Sequence, residues 1–244
     1  MKRLTYIFLV AILGLSSCTS QEILGALESI NSEENNSLSN AEVISGLKEA
    51  LTIGAQNSTK LTSKLDGFYK NPQIAIPFPE EAIKVKNTAI DLGLENQVNT
   101  FEMTLNRAAE EATKEATSIF VNAITTMSLE DGFKILKGGK GAATEYLKES
   151  TRAQLVQKFS PKVQTAIDAV ELTKYWEPLI SKYNSVNTLN PFGNQEEIDP
   201  DLNAYVTDRA IDGLFIMVEK EENKIRENPA ARVTDLLKKV FEQQ

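Results

Sequence analysis

Any chemistry in this chain must come from carboxylates, lysine, tyrosine, serine or a metal held by oxygen atoms. The 244 residues include no histidine and a single cysteine, Cys18. Nucleophile pairs of the Ser-His-Asp and Cys-His types are therefore excluded, and so are zinc sites built on histidine or cysteine. One cysteine forms no disulfide within the chain, so stability must come from packing. The sequence predicts no cofactor and no metal site.

The candidates for acid–base chemistry are charged residues inside predicted helices. Arg107 and Glu110 lie in an alanine-rich helix, and Glu222 stands four residues before Arg226, so that these two can pair on one helix face. Such pairs are usually surface ion pairs worth under about 1 kcal/mol. A glutamate in an open cleft would instead be a candidate general acid. Burial of both glutamates in ion pairs with the arginines would eliminate that role.

Two other segments have the composition of ligand sites. The cluster Gly138-Gly139-Lys140-Gly141 precedes a helix, where free amides hold anions. It departs from the phosphate-loop pattern, because Lys140 is followed by glycine and not by Ser or Thr. The acidic loop 194–201 offers oxygen atoms for calcium, but its spacing does not fit the EF-hand. We interpret the first segment as a turn and the second as solvated loop charges.

Cys18 is placed for lipid attachment. It follows Lys2, Arg3 and an apolar run from Leu4 to Leu15, which at twelve residues is shorter than a spanning helix and is typical of a cleaved signal. The string Leu15-Ser16-Ser17-Cys18 resembles the bacterial lipobox. That resemblance implies a signal peptide over 1–17 and a membrane anchor on Cys18. Position 19 is Thr and not Asp, which by the known sorting rule implies the outer membrane of the cell envelope.

The charge of the mature chain limits its partners. Removing residues 1–17 leaves 24 basic and 34 acidic residues, so the net charge changes from −8 to −10. An acidic chain of this kind is repelled by phosphate backbones and by anionic lipid surfaces, and nucleic acid is not an expected partner. Residues 18–40 are rich in Ser, Asn and Glu and predict a tether that buries too little to order itself.

Helical periodicity begins at Ala41 and predicts a single all-α domain over 41–244 with eight or nine helices. The first helix should carry its apolar stripe through Leu65 and Phe68 and end at Asn71-Pro72. The longest helix is predicted over Glu95–Met127. Its central stripe is alanine, which lets another helix approach closely.

Capping residues predict the remaining boundaries. Ser128 and Asp131 resemble a capping box for a short helix that ends near Lys137. The helix after the glycine cluster is predicted to end at Phe159, with Ser160-Pro161 opening the next one. A strong helix should start at Asp199-Pro200 and stop at Asn228-Pro229. A last helix is predicted from about Val233 to Phe241.

Several short strings together resemble a bacterial family known as domain of unknown function 4197, from about Gly46 to Phe241. They include Ile76-Pro77-Phe78-Pro79, Asn106-Arg107-Ala108-Ala109-Glu110 and Asp212-Gly213-Leu214-Phe215. The resemblance implies a secreted or lipid-anchored helical protein, and it transfers no activity. The motifs include a polar set, which we expect to form one buried network that is either structural or a site: Asn106, Arg107, Glu110, Thr144, Tyr146, Glu222, Arg226 and Asn228.

These patterns predict a lipid-anchored envelope protein without catalysis that binds or scaffolds an envelope protein in the periplasm or at the cell surface. One alternative is a carrier, with helices enclosing an apolar cavity of several hundred cubic ångström for a lipid or a similar ligand. Another is a carboxylate hydrolase or lyase that acts on cell-wall glycan, with Glu110 or Glu222 as the acid.

Overall fold

The computed structural model describes residues 38–91, 93–169, 181, 185, 201–228, 232, 234 and 238. All helices described below belong to one unit that begins at Asn40. Within these residues the chain forms seven α-helices and one short 3₁₀ helix and no strand, which confirms the all-α class. Cys18, most of the acidic loop and the predicted last helix, apart from Thr234 and Lys238, lie outside the described residues.

The helices follow one another with short connections. In chain order they are α1 (Asn40–Thr62), the 3₁₀ helix (Glu80–Ala82), α2 (Ile83–Asp91), α3 (Glu95–Thr113), α4 (Ala116–Thr126), α5 (Leu129–Lys137), α6 (Ala142–Asp168) and α7 (Leu202–Glu227). Helices α3, α6 and α7 pack on one another, and α1 packs on α7 and α4. In the described part of the chain, no helix combines the length and the apolar composition needed to cross a bilayer.

Helix α1 ends at Thr62, earlier than predicted, because the chain folds back over the helix end. Asp66 takes a left-handed conformation with φ of 64°. A Cβ on Gly67 would lie 2.5 Å from the carbonyl oxygen of Thr62, so only glycine permits this close approach. The prediction that the apolar stripe continues through Leu65 is wrong. Leu65 is 74% exposed, whereas Phe68 is brought back into the core and is fully buried.

The helix predicted over Glu95–Met127 is two helices, α3 and α4. At the junction the N–H groups of Lys114 and Glu115 bond to carbonyls three residues earlier, at 3.3 and 3.1 Å, which is 3₁₀ geometry. The Thr113 hydroxyl also donates to the carbonyl of Glu110 at 3.1 Å, in competition with the backbone. The alanine stripe itself is confirmed as core. Its fully buried members are Ala108, Ala109, Ala112 and Ala116.

Helix α6 continues through Pro161 to Asp168, so the predicted end at Phe159 is wrong. The Ser160 hydroxyl donates to Asn203 Oδ1 at 2.9 Å and does not cap a new helix. A proline inside a helix costs about 3 kcal/mol. Phe159 and Val163 lie on one face on either side of it and are both fully buried. Burial of two such side chains contributes roughly 1.5–3 kcal/mol each, which offsets the cost of the proline.

Local capping signals located other boundaries correctly. The Ser128 hydroxyl accepts the N–H of Asp131 at 3.1 Å, and α5 then ends at its predicted residue. The glycine cluster is the predicted turn, with φ of 78° at Gly139 and 76° at Gly141. Helix α7 begins slightly later than predicted, because the carboxylate of Asp201 accepts the N–H three residues on, at 3.0 Å.

Candidate functional site

The predicted polar residues lie in two groups, not in one network. The α3 group contains Asn106, Arg107 and Glu110, and it holds the chain that follows α1. The α7 group contains Glu222, Arg226 and their partner Thr144 at the start of α6. Among the described residues, the hydrogen bonds of the two groups have no residue in common.

Glu110 is the centre of the α3 group and is only 4% exposed. Its Oε1 atom accepts the backbone N–H groups of Phe68 at 3.1 Å and Tyr69 at 3.2 Å. Its Oε2 atom accepts a hydrogen bond from Arg107 at 2.6 Å. Buried amides and a buried carboxylate satisfy one another in this way. Glu110 therefore fixes the turn after α1 to α3.

Arg107 connects this carboxylate to a second one, on Asp66. Its other terminal nitrogen donates to Asp66 Oδ1 at 2.6 Å, and its Cζ atom lies 5.4 Å from the centre of the Tyr69 ring. Lys70 also pairs with Asp66, at 2.8 Å. Lys70 and then Arg107 lower the pKa of Asp66 below its ordinary value of 3.8. Glu110 and then Asp66 raise the pKa of Arg107.

Asn106 holds the extended connector that runs from the turn to the 3₁₀ helix. Its Oδ1 atom accepts the N–H of Ile76 at 2.8 Å, and its Nδ2 atom donates to the carbonyl of the same residue at 2.8 Å. The amide side chain thus pairs with Ile76 as a neighbouring strand would. Ile76 and Phe78 are buried in the core, although this segment forms no strand.

Glu222 caps the N-terminus of α6 from a different helix. It accepts the N–H of Ala143 at 3.1 Å, and the N–H and hydroxyl of Thr144 at 2.9 and 2.8 Å. The residue at the capping position, Gly141, has no side chain that could do so. A negative charge at a helix N-terminus is favourable, because it satisfies free amides and opposes the helix dipole.

Arg226 extends the α7 group to α5. Its Nε atom donates to Glu222 Oε1 at 2.9 Å, and its terminal nitrogen donates to the carbonyl of Ile135 at 3.0 Å. Asn228 ends α7, and its N–H donates to the carbonyl of Lys224 at 3.0 Å. Tyr146 lies apart from both groups. Its hydroxyl donates to the carbonyl of Ala123 at 3.4 Å, and burial raises its pKa.

Neither glutamate is placed for catalysis. Glu110 and Glu222 are both buried and both paired with an arginine, which is the arrangement that eliminates them as general acids. Each carboxylate also accepts two backbone N–H groups, so its oxygen atoms are engaged inside the fold. In the described ranges, no three acidic, histidine or cysteine side chains come together as metal ligands.

An apolar cavity between α1, α6 and α7 is too small for a carried ligand. Its volume is about 20 Å³, enough for one water molecule, whereas ligand pockets measure roughly 300–1,000 Å³. Its walls include Leu47, Leu51, Gly54, Leu147 and Ile225. The described residues therefore give no support to the carrier alternative.

An open groove of about 410 Å³ lies between α6 and α7. Charges of both signs line it, together with Ile216, whose side chain is 46% exposed. The charged residues are Lys140, Glu145, Lys148, Asp212 and Glu219. The groove is a feature of the surface, and Glu222 lies beneath it, on the buried side of Thr144.

The family model described as protein of unknown function DUF4197 matches residues 37–242. The chain belongs to this family. No curated protein and no solved structure matches it. The match covers all seven helices and both polar groups, so the resemblance read from the short strings is confirmed.

In this DUF4197 protein, sequence reasoning missed the partners of the polar residues. Asp66 is the main omission. The dipeptide Asp66-Gly67 is a turn signal, and it could have indicated a break in α1. Nothing local signals that Glu110 binds backbone 42 residues away or that Glu222 binds backbone 79 residues away.

Proposed function

We propose that this DUF4197 protein is a lipid-anchored protein of the cell envelope whose helical domain is a non-catalytic binding or scaffolding module. The observation that carries the proposal is the use of Glu110 and Glu222. Both side chains are buried, and each accepts hydrogen bonds from backbone N–H groups at a turn between helices. The residues best suited to acid–base chemistry thus hold the fold together, and the fixing of turns in this way lowers the cost of ordering them when a partner binds.

The N-terminal sequence supports the proposed location in the cell envelope. A basic start, a short apolar run and Ser16-Ser17-Cys18 fit a lipoprotein signal. Buried lipid contributes roughly 0.8 kcal/mol per methylene, and stable anchoring needs more than one acyl chain. Thr19 favours the outer membrane as the destination.

The groove between α6 and α7 is the part of the domain best suited to a protein partner. Its charges of both signs surround the half-exposed Ile216, a combination that matches the polar rim and apolar centre of protein interfaces. The two walls of the groove are joined, because Glu222 of α7 accepts the N–H groups of Ala143 and Thr144 in the first turn of α6. We therefore place the partner, an envelope protein, in this groove.

The anchor is tested by Cys18→Ala, with Ser20→Ala as a control that leaves the cysteine intact. We expect the first variant to be released from membranes or to accumulate as unprocessed precursor, and the control to fractionate as the wild type does. Processing is read from the mass of the chain. Membrane retention of a correctly cleaved Cys18→Ala chain would refute the lipoprotein proposal.

The binding role is tested by native mass spectrometry on the protein purified gently from its own membranes. We expect a stoichiometric protein partner that is lost in Ile216→Arg and retained in Leu129→Arg, since Leu129 is 56% exposed but lies outside the groove. Extra mass from a small molecule instead of a protein would favour the carrier alternative. A partner retained by both variants would place the interface elsewhere.

A further inference from the structure

The turn after α1 presents an apolar side chain among lysines. Leu65 is 74% exposed, the largest value for any large apolar residue in the described ranges, and Leu61 beside it is 36% exposed. Lys60, Lys64 and Lys70 flank these leucines, and all three are exposed. We propose that this lysine-leucine turn, residues 60–70, is a contact surface for anionic lipid. This proposal rests on the proposed lipid anchor, which would hold the domain at a membrane.

The turn is held in place by the α3 group. Asp66 keeps its left-handed conformation through ion pairs with Lys70 and Arg107, and Glu110 binds the next two backbone N–H groups. Aspartate tolerates a positive φ better than most residues, and here the two ion pairs of Asp66 and the hydrogen bonds to the backbone after it hold the turn in this one conformation. In this conformation the side chain of Leu65, directly before Asp66, lies in solvent.

The local charge is positive although the chain is acidic. The one acidic residue in the turn is Asp66, and it is paired with both Lys70 and Arg107. Lys60 and Lys64 form no ion pair with any described residue. Exposed charges farther away than a Debye length of about 8 Å are largely screened at physiological salt. The net charge of −10 of the processed chain therefore does not cancel the attraction of these lysines to an anionic surface.

The next turn adds one more positive charge. Lys220 on α7 donates to Gln73 Oε1 at 3.0 Å, which holds its ammonium group beside residues 71–74. Each lysine near an anionic leaflet strengthens binding about five-fold. Two leucines and a few lysines are far too small for a stable protein interface, which buries roughly 800 Å² per partner. These few side chains are enough for a membrane contact when the chain is already tethered, because the tether makes the contact intramolecular.

The geometry allows the anchor and the turn to reach one bilayer. Helix α1 has 23 residues, so it separates Asn40 from the turn by roughly 35 Å. Residues 18–39 can span at most about 75 Å when fully extended. The segment between the anchor and α1 is therefore long enough for the far end of α1 to touch the same membrane.

The test tethers the domain without using lipidated Cys18. The mature chain from residue 18, with Cys18→Ser and a histidine tag ahead of it, is bound to vesicles through a nickel-chelating lipid. Leu65→Cys then supplies the single thiol for a polarity-sensitive fluorophore. We expect blue-shifted emission on vesicles of phosphatidylcholine and phosphatidylglycerol, and no shift on phosphatidylcholine alone. Because the tag replaces the acyl chains, failure of the lipoprotein proposal would not affect this result.

Leu129→Cys is the matched control. Leu129 is 56% exposed and lies beside Glu130 and Asp131, so it is an exposed leucine in an acidic setting. Its probe should not shift on either vesicle. Changing both Lys60 and Lys64 to Gln in the Leu65→Cys chain should reduce the contacting fraction about five-fold per lysine. Equal emission from both sites, or a shift at residue 65 with envelope proteins but not with vesicles, would overturn the proposal.

Discussion

Two glycines at similar positions in long helices should respond in opposite directions to the same substitution. Gly54 lies within α1 and Gly213 within α7, and both are buried. A Cβ added at Gly54 would lie 3.7 Å from Ile225 Cδ1, an ordinary van der Waals contact. A Cβ added at Gly213 would lie 2.7 Å from Phe68 Cε1 and 3.1 Å from Ile74 Cβ, so something must move.

The free energies follow from these distances. Alanine is favoured over glycine inside a helix by about 1 kcal/mol, and at Gly54 the added methyl group also contacts the small cavity between α1, α6 and α7. We expect Gly54→Ala to raise the free energy of unfolding by about 1 kcal/mol. At Gly213 the same gain is opposed by an overpacking cost of roughly 1–3 kcal/mol. The Phe68 ring is fully buried, so it can move only by displacing its neighbours in the core. We therefore expect Gly213→Ala to lose up to about 2 kcal/mol.

Urea unfolding followed by far-UV circular dichroism measures both changes. The difference between the two variants should be about 1–3 kcal/mol, equivalent to roughly 2–12 °C in Tm for a domain of this size. The slope with urea should match the wild type, so that the midpoints report stability alone. Equal stabilisation by both substitutions would refute the close approach of Phe68 to α7. Destabilisation by Gly54→Ala would refute the claim that a methyl group fits beside Gly54 at the cavity.

Three further substitutions test the polar groups and the alanine stripe. Glu222→Ala should cost about 3–5 kcal/mol, because it leaves Arg226, whose side chain is only 12% exposed, and the buried N–H groups of Ala143 and Thr144 without their partner. Glu149 is exposed and lies on the helix that Glu222 caps, so Glu149→Ala should change urea stability by less than about 0.5 kcal/mol. Similar losses in both variants would contradict the capping role. Asp66→Asn keeps a residue that tolerates positive φ but removes the charge, so it should lower the urea midpoint near neutral pH. Basic partners lower the pKa of Asp66 below 3.8, so the stability that its charge contributes is present above pH 3.8 and is lost as the pH falls through the lowered pKa. A difference in urea midpoint between the wild type and Asp66→Asn that persists in stronger acid would argue against the ion pairs. Ala112→Leu should lose roughly 1–3 kcal/mol by overpacking, and an unchanged melting midpoint would mean that no helix lies close to the stripe.

Sequence patterns predicted those features of the fold that depend on neighbours along the chain. Ser128 and Asp131 lie within one turn, and their capping box is present as predicted. The alanine stripe of α3 and α4 is buried as its periodicity indicates. Caps and periodicity act over three or four residues, so the sequence contains the whole signal.

The errors occur where a distant contact outweighs a local signal. Pro161 stops a helix by local rules, yet burial of Phe159 and Val163 keeps α6 continuous. The stripe through Leu65 continues α1 by periodicity, yet Glu110 binds the backbone beyond it and bends the chain away. Whether the predicted polar residues form one group or two depends on partners far along the chain, which no local pattern indicates.

The pairing of α1 with α7 has a consequence for how the chain matures. Helix α1 packs its apolar face on a helix that ends at Glu227. Synthesis proceeds from the N-terminus, so the part of this face that meets α7, including Leu47 and Leu51, stays uncovered until the residues of α7 have been made. Late closure of this kind leaves apolar surface open to aggregation. A protein with this topology is therefore a natural client of molecular chaperones while it folds.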